Sequence, residues 1–206
     1  MEIKVFPSAS MGANCYTVLS GDAAIVIDPG EYCESVCNFL KENSDKQRLI
    51  LLTHCHFDHI GGAAELREKT QVPIAIGENE FSHTADPKNT LSQYFGIEVE
   101  HFNSDTPLEN GQELCVGDIK IKCIETPGHT VGSMCYLMEN TLFSGDTLFN
   151  LSIGRTDFPN GSFTDISNSI KMLYSSLDDD TVVLPGHGDA TLIKYEKTNN
   201  PFVRDI

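Results

Sequence analysis

The sequence predicts a mixed α/β fold of the α+β type, in which two packed β-sheets lie between outer helices in four layers, αββα. Three observations support this prediction. Short apolar segments with strand periodicity recur in both halves of the chain, helical segments separate them, and no polar linker or change of composition divides the halves. The 206 residues, 40% of them hydrophobic, suffice for a sizeable core, so we expect a single domain over residues 1–206.

The first half of the chain combines strands with helices. Alternating apolar residues predict an antiparallel meander of three strands, and the continuous apolar run at 48–53 is typical of a strand buried on both faces. Between them, apolar residues recur at helical spacing from Cys33 to Leu40. The expected bounds are 3–6, 15–19 and 23–27 for the meander, 33–40 for the first helix, 48–53 for the buried strand, 59–69 for a second helix and 73–76 for a further strand.

The second half repeats this plan. Turn residues separate its apolar strands, and an apolar stripe with 3-4-3-4 spacing begins directly after Ser162. Ser162 and Asp165 have the spacing of a capping box, so we expect a helix to begin there and to pack on a sheet. The expected strands are 113–116, 119–125, 134–138, 141–144 and 181–184, and a short helix is expected before Asn200.

Charge and composition exclude several classes of partner. Fourteen Lys and Arg against thirty Asp and Glu give a net charge of −16, which should repel nucleic-acid phosphates and anionic lipid surfaces. The first residues contain no basic segment and no long apolar run, so we expect no membrane partner and a cytoplasmic protein. The seven scattered cysteines do not form a disulfide framework, and we expect reduced thiols.

A dense group of metal-binding residue types follows the predicted buried strand. It is the segment His54-Cys55-His56-Phe57-Asp58-His59. Residues at i and i+2 of an extended segment project to the same side, so His54 and His56 can approach one cation together. Asp58 and His59 lie past the bend into the next helix and can face a second cation nearby, as two-metal hydrolytic sites require. One short loop can therefore serve two divalent cations.

Three further ligand candidates follow other predicted strands. His129 and His187 each come after a Pro-Gly pair that lets the backbone turn sharply, and each is expected to complete one of the two sites. Asp146 has two carboxylate oxygens and is the candidate to bridge the cations. Imidazole and carboxylate ligands without an obligatory thiolate favour zinc, with iron and manganese left open.

Other polar residues near these motifs have weaker signals. Asp28 ends a strand and is expected either to orient a ligand histidine or to serve only its turn. Arg155 is a candidate to grip a substrate carboxylate, against an ordinary surface ion pair. Alternation points Cys55 away from the ligands, as a buried thiol. His83 and His101 lack a motif and are expected to be ordinary surface or packing residues.

The segments around these residues resemble the metallo-β-lactamase-fold hydrolases, whose hallmark is H-x-H-x-D-H followed by a distant His, an Asp and a final His. The chain is most similar to their short glyoxalase II-like, or hydroxyacylglutathione hydrolase-like, branch. The resemblance spans nearly the whole chain. It is carried by Leu51-Leu52-Thr53-His54, Pro127-Gly128-His129-Thr130-Val131-Gly132-Ser133, Ser144-Gly145-Asp146, Ser152-Ile153-Gly154-Arg155-Thr156-Asp157-Phe158-Pro159 and Leu184-Pro185-Gly186-His187-Gly188.

This resemblance implies a metallo-β-lactamase-like αββα sandwich with a binuclear metal centre at one edge of the sheets. The implied roles are one metal on His54, His56 and His129, a second metal on Asp58, His59 and His187, and Asp146 as the bridge. The helical glutathione-binding extension of full-length glyoxalase II has no counterpart in this sequence, so the thiol carrier of the substrate is left open.

We therefore expect a binuclear metallo-hydrolase that acts as a thioesterase. It would cleave a hydroxyacyl thioester, such as S-lactoylglutathione or a related thiol conjugate, by a metal-bound hydroxide, with Asp58 and Asp146 as catalytic residues. Two divalent metal ions, zinc first, are the expected cofactors. The expected partner is this small molecule, and the protein is expected to be a monomer or a small homo-oligomer.

Other functions share parts of this pattern. A mononuclear iron persulfide dioxygenase keeps the same fold and motif, and metal identity distinguishes it from a hydrolase. Phosphodiester or RNA processing is disfavoured because the chain has no basic patch. A non-catalytic metal-binding module is disfavoured by the complete ligand set. Hydrolysis of β-lactams is disfavoured because Asp146 stands where such enzymes commonly have a metal-binding Cys.

Overall fold

The structure, a computed structural model, describes residues 1–7 and 12–203, which form two six-stranded sheets and a two-stranded hairpin. The strands are β1 Glu2–Pro7, β2 Asn14–Leu19, β3 Ala23–Ile27, β4 Gln47–Leu52, β5 Ile74–Gly77, β6 Thr106–Leu108, β7 Glu113–Val116, β8 Ile119–Glu125, β9 Met134–Met138, β10 Thr141–Gly145, β11 Leu148–Phe149, β12 Ser152–Ile153, β13 Val182–Pro185 and β14 Thr191–Leu192. The α-helices are α1 Glu34–Glu42, α2 Phe57–Ile60, α3 Ala63–Thr70, α4 Ser92–Phe95, α5 Phe163–Ser176 and α6 Ile193–Asn199. None of these helices combines the length and the apolar character that a membrane crossing needs.

The first sheet has the strand order β1-β2-β3-β4-β5-β6. Its first three strands form the predicted antiparallel meander, and β4, β5 and β6 extend the sheet in parallel. The last four residues of β4 are buried, as its continuous apolar run predicted. Because β3 and β4 are parallel, their carboxyl ends meet at one edge of the sheet. Asp28 and the segment 54–59 therefore begin side by side.

The second sheet has the strand order β14-β13-β10-β9-β8-β7. Strand β13 pairs with β10 in parallel, whereas the other neighbours are antiparallel. The parallel pair again brings two carboxyl ends to one edge. Asp146 follows β10 there, and His187 follows β13.

Buried apolar side chains form three clusters, and each cluster fills one of the three interfaces between the four layers. The central cluster joins residues of both sheets, among them Ile25 and Tyr136. Leu40 of α1 and Leu66 of α3 pack on the outer face of the first sheet. Ile170 of α5 packs on the outer face of the second sheet. Full burial of such a side chain contributes about 1.5–3 kcal/mol, so these interfaces hold the layers together. The predicted αββα sandwich is confirmed.

Helix α5 begins at the predicted residue and is tied to the site. Ser162 Oγ accepts a hydrogen bond from the backbone N–H of Asp165 at 3.2 Å, which satisfies one free donor of the first turn. The N–H of Ser162 donates to the carbonyl oxygen of Gly128 at 2.8 Å. The start of α5 therefore anchors the loop that carries His129.

The single helix predicted at 59–69 is wrong. The chain forms α2 and α3 instead, with a break at Gly61 and Gly62. A Cβ atom on Gly61 would lie 2.4 Å from the carbonyl oxygen of Gly30, and one on Gly62 would lie 2.4 Å from that of Glu31. The break lets the turn after β3 pack directly against the backbone between α2 and α3.

Several short elements carry no signal in the sequence. Strands β6, β11, β12 and β14 have only two or three residues, and α4 has four, which is too few for a period of two or 3.6 to be recognised. Apart from the helix predicted at 59–69, the elements whose bounds were predicted begin and end within two residues of the observed ones. The length of the periodic segment therefore decided what could be predicted.

Candidate metal centre

Polar side chains follow the strands that end at one edge of the sandwich. Asp28 follows β3, the segment 54–59 follows β4, His129 follows β8, Asp146 follows β10 and His187 follows β13. The structure brings all seven predicted ligands together in three overlapping groups whose ligand atoms lie within 4.8 Å of one another. These groups are His54, His56 and His129; His54, His59 and Asp146; and Asp58, His59 and His187.

The first set consists of three buried histidines, His54, His56 and His129. His129 Nε2 lies 2.9 Å from His56 Nδ1. His54 Nδ1 lies 3.1 Å from Thr53 Oγ1, and His129 Nδ1 donates to the carbonyl oxygen of Arg155 at 2.8 Å. Because these contacts of the Nδ1 atoms fix the orientation of the His54 and His129 rings, the Nε2 atoms face the space between the three rings.

The second set consists of Asp58, His59 and His187. His187 Nε2 lies 3.2 Å from Asp58 Oδ2, and His59 Nε2 lies 3.9 Å from the same oxygen. His187 Nδ1 donates to the carbonyl oxygen of Gly12 at 3.1 Å. Asp58 and His187 are partly exposed, so this set is more open to solvent than the first.

Asp146 lies between the two sets. Its Oδ1 atom is 3.3 Å from His59 Nε2. Its Oδ2 atom is 3.5 Å from His129 Nε2 and 3.6 Å from His187 Nε2. One carboxylate therefore reaches both sets, as a residue that bridges two cations would have to do.

Buried atoms without a hydrogen-bond partner show whether a cation fits this place. Among the described residues, the buried side-chain atoms that make no hydrogen bond include His54 Nε2, His59 Nε2 and Asp146 Oδ1, the last two of which face each other at 3.3 Å. Leaving a buried polar atom unpaired costs about 1–3 kcal/mol. A divalent cation accepts imidazole nitrogens and carboxylate oxygens together and would satisfy all three atoms. The donor set fits a divalent metal.

Burial keeps two histidines of the first set neutral. Burial, with a contribution from the neighbouring histidines, lowers the pKa of His54 well below its usual value. Burial and the nearby His129 lower the pKa of His56 to about 3. At neutral pH both rings therefore carry no charge, which is the state that binds a metal.

His59 and Asp146 stabilise one another's charged states. Burial opposes the charge on His59, but Asp146, Asp58 and Asp28 raise its pKa well above the usual value. Burial also opposes the charge on Asp146, but His59 and His129 hold the pKa of this carboxyl below its usual range. The proton on His59 offsets the negative charge of these carboxylates, which is a role that a bound cation would take over. Metal binding is therefore expected to release it.

Asp28 accepts a hydrogen bond from the Nδ1 atom of His59 and so fixes the orientation of this ring. Its Oδ1 atom accepts from the backbone N–H of Thr53 at 2.7 Å, and its Oδ2 atom accepts from Thr53 Oγ1 at 2.6 Å and from His59 Nδ1 at 2.9 Å. Of the two expectations for Asp28, this geometry is that of a carboxylate that orients a ligand histidine.

Arg155 lines the mouth of the site, but its guanidinium is already paired. Its Nε and Nη2 atoms donate to the two carboxylate oxygens of Asp157, each at 2.7 Å, and its guanidinium carbon lies 3.8 Å from the ring centroid of Phe158. The two-pronged grip expected on a substrate carboxylate is thus made to Asp157, because that exposed carboxylate stands two residues away. A role of Arg155 in substrate binding stays a prediction.

The remaining candidates from the sequence have ordinary surroundings. Cys55 is buried, and burial raises the pKa of its thiol well above the usual value, so it is unreactive. His101 Nε2 lies 3.3 Å from both Thr90 Oγ1 and Ser92 Oγ, as in a packing contact. His83 is partly buried beside another carboxylate, Glu80.

Glu80 is a fully buried residue that no motif in the sequence indicates. Its Oε2 atom accepts from the backbone N–H of Cys55 at 3.2 Å, and its Oε1 atom accepts from that of Gly132 at 3.1 Å. Burial opposes its charge, but contacts with His83 and Cys55 hold the pKa of Glu80 below its usual range. Cys55 separates two ligand histidines, and Gly132 lies in the loop after His129. One carboxylate therefore joins two loops of the first set.

Replacing Glu80 with glutamine is expected to weaken metal binding about 10–100-fold, as removal of an outer partner of a metal site commonly does. The amide keeps the volume, but its NH₂ group faces a backbone N–H that needs an acceptor. Competition with a coloured chelator measures the metal affinity. Glu78→Gln, at an exposed residue of the same segment, is the matched control. Equal metal affinities of the two variants would show that Glu80 does not support the site.

A cavity of about 390 Å³ opens over the two ligand sets, a size that suits a small molecule. Its lining combines polar ligand candidates with largely apolar side chains. The ligand candidates in the lining are His56, Asp58, His129, Asp146 and His187. The other lining residues are Phe57, Leu91, Phe95, Phe149, Ile153, Arg155 and Phe158.

Curated relatives match nearly the whole of this chain. The model of the family described as "Metallo-beta-lactamase superfamily" matches residues 11–187. The probable metallo-hydrolase YqgX of Bacillus subtilis (strain 168) is 36% identical over 206 residues, which cover 98% of each chain. The hydroxyacylglutathione hydrolase GloC of Haemophilus influenzae is 33% identical over 211 residues, which again cover 98% of each chain.

Solved structures share the fold. BLEG-1 B3 metallo-beta-lactamase superimposes with a TM-score of 0.90 at 35% identity, over 99% of this chain and all of that one. TTHA1623 in a di-iron-bound form has a TM-score of 0.85 at 29% identity, over 97% and 100%. ETHE1 from Myxococcus xanthus has a TM-score of 0.76 at 28% identity, over 98% and 84%. The motifs, the fold and these likenesses agree, and the chain belongs to the metallo-β-lactamase superfamily.

Proposed function

We propose that this chain, a metal-dependent hydrolase of the metallo-β-lactamase superfamily, cleaves hydroxyacyl thioesters such as S-lactoylglutathione with two divalent cations. The observation that carries the proposal is the position of Asp146 between the two ligand sets. Two adjacent cations suit a reaction in which a carbonyl is polarised while water attacks it. The similarity to GloC supports a hydroxyacyl thioester as the substrate.

Zinc is the metal that we propose, because imidazole and carboxylate ligands in two small sets suit it. The likeness to the di-iron-bound form of TTHA1623 supports iron as an alternative, and manganese stays open. When bound, such cations supply a Lewis acid and lower the pKa of a bound water to about 7. His54, His56 and His129 would hold one cation, Asp58, His59 and His187 the other, and Asp146 both.

Asp58 is placed to orient the attacking water. Its side chain is 20% exposed and lines the cavity, while its Oδ2 atom lies 3.2 Å from His187 Nε2. Burial opposes its charge, but His59 and His187 hold the pKa of Asp58 below its usual range. It is therefore an anion that can accept a hydrogen bond from water. The leaving thiolate is weakly basic, so the reaction does not require a strong general acid.

The experiment that tests this function follows the loss of thioester absorbance of S-D-lactoylglutathione. Zinc-loaded protein is expected to hydrolyse the thioester, to lose this activity after chelation and dialysis, and to regain it when zinc returns. Absence of turnover by fully metal-loaded protein would overturn the proposal for this substrate.

A second candidate is the mononuclear iron persulfide dioxygenase reaction. The three histidines of the first set can hold a single metal ion without the second set. The likeness to ETHE1 is compatible with this alternative. Oxygen consumption by iron-loaded protein with glutathione persulfide distinguishes the two reactions. One iron per chain with rapid oxygen consumption would favour the dioxygenase over the hydrolase.

Replacing Arg155 with alanine is expected to raise KM about 3–10-fold for a thioester that carries a carboxylate, with kcat and metal content unchanged, because an exposed charge-assisted contact contributes on the order of 1 kcal/mol. Arg67→Ala is a matched control, since Arg67 also lies over a phenylalanine ring, that of Phe102, and pairs with Asp105. Steady-state kinetics measures both variants. An unchanged KM for Arg155→Ala would limit this residue to its contacts with Asp157 and Phe158.

A further inference from the structure

Three phenylalanine rings, Phe57, Phe95 and Phe158, form one side of the cavity, and we call them the aromatic wall. The ring centroids of Phe57 and Phe95 are 5.3 Å apart, and those of Phe95 and Phe158 are 6.0 Å apart. Phe158 also meets the ring of His56 edge to face, with centroids 5.7 Å apart. The aromatic wall is thus continuous with the first ligand set, so a group seated on it would lie beside the reacting carbonyl.

The aromatic wall presents apolar surface to solvent. Phe95 is 51% exposed although it belongs to the cavity lining. Leu91, which also lines the cavity, is buried in a left-handed conformation with φ of 62°. This conformation is costly for a leucine and persists only where surrounding contacts enforce it. The structure therefore holds apolar groups at the cavity against both solvation and backbone preference.

The charges around the cavity do not favour a polar group at the aromatic wall. Among the described residues that line the cavity, Arg155 is the cationic side chain other than the histidines. Its guanidinium covers one face of Phe158 and is neutralised by Asp157. The polar groups of the cavity otherwise belong to the metal centre. A substituent over Phe57 and Phe95 would gain contacts with the rings and no new hydrogen bond.

We infer that the preferred thioester substrate carries an apolar group larger than the methyl of a lactoyl group, either aromatic or branched aliphatic, and that this group packs on the aromatic wall beside the scissile bond. This inference rests on the proposed thioesterase function and narrows its substrate class. The apolar group can belong to the acyl part or to the thiol part of the substrate, and the experiment separates the two.

A matched pair of substrates tests the acyl part. S-mandeloylglutathione and S-lactoylglutathione have the same thiol and the same α-hydroxyl, and they differ by phenyl in place of methyl. We expect kcat/KM to be at least about tenfold higher for the mandeloyl thioester, since even one methylene in an apolar pocket changes this ratio about 10–200-fold. A second pair keeps the lactoyl group and replaces glutathione with benzyl mercaptan, which tests the thiol part.

Variants then locate the preference. Phe95→Ala is expected to lower kcat/KM for the mandeloyl thioester more than for the lactoyl thioester, so that the ratio of the two values falls about fivefold or more. Phe163→Ala is the matched control, because Phe163 is 53% exposed and starts α5 outside the cavity lining. A preference that Phe95→Ala leaves intact, or no preference in either pair, would overturn the inference. Failure of every thioester to react would instead overturn the proposed function, so the two failures are distinct.

Discussion

Replacing Asp146 with asparagine is expected to lower thioester turnover by more than about 100-fold and to release at least one of the two metals. Asparagine keeps the shape but removes the charge that lies within 3.6 Å of His59, His129 and His187. Its NH₂ group also cannot bind a cation. Both ligand sets therefore lose their shared oxygen. Metal analysis of the dialysed protein and steady-state kinetics measure the effect.

The matched control for Asp146→Asn is Asp45→Asn, which removes the same charge at an exposed residue before β4. This variant is expected to retain both metals and full activity. Two tightly bound metals and near-normal turnover in Asp146→Asn would refute the bridging role. Loss of metal in both variants would show that net charge, and not the bridge, governs metal affinity.

Replacing Gly186 with alanine is expected to be nearly as damaging, although glycine has no side chain to bind a metal. A Cβ atom there would lie 2.3 Å from Asp146 Oδ1 and 2.6 Å from His59 Cε1. The added methyl would overlap both side chains, so it must displace them from their positions. A displacement of about 1 Å in a catalytic group can cost on the order of 100-fold in rate. The overpacking is also expected to cost about 1–3 kcal/mol of stability.

Gly21→Ala is the control for Gly186→Ala, because a Cβ on Gly21 would meet its nearest neighbour, Asp118 Oδ2, at an ordinary 3.5 Å. Kinetics and metal content, measured beside urea unfolding, separate site distortion from loss of fold. Wild-type metal content and turnover in Gly186→Ala would mean that the packing around Asp146 is looser than this geometry requires.

The grouping of the candidate ligands was predictable from sequence because local rules determine it. The i, i+2 spacing of His54 and His56 does place both rings in the first set, and Asp58 and His59 do lie past the bend in the second. Polar residues directly after apolar strands also meet at one edge, because parallel strands such as β10 and β13 end there together. Local pattern therefore located the site and the layers of the fold.

The parts that could not be predicted depend on contacts between residues distant in sequence. Glu80 bonds to Cys55, 25 residues before it, and to Gly132, 52 residues after it. The helix break at Gly61 exists because the turn after β3 approaches its backbone. Nothing in the local pattern of either segment encodes these contacts. These contacts form only when folding brings the distant segments together.

The measurement that tests the binuclear account most directly is a zinc titration of metal-free protein, with tight equivalents per chain counted while hydrolysis of S-D-lactoylglutathione is followed. We predict two tight equivalents per chain, turnover that depends on the second, and protons released as the metal displaces the proton of His59. Full turnover at one equivalent, or a single tight site that persists in Asp146→Asn, would contradict a centre in which Asp146 joins two metals.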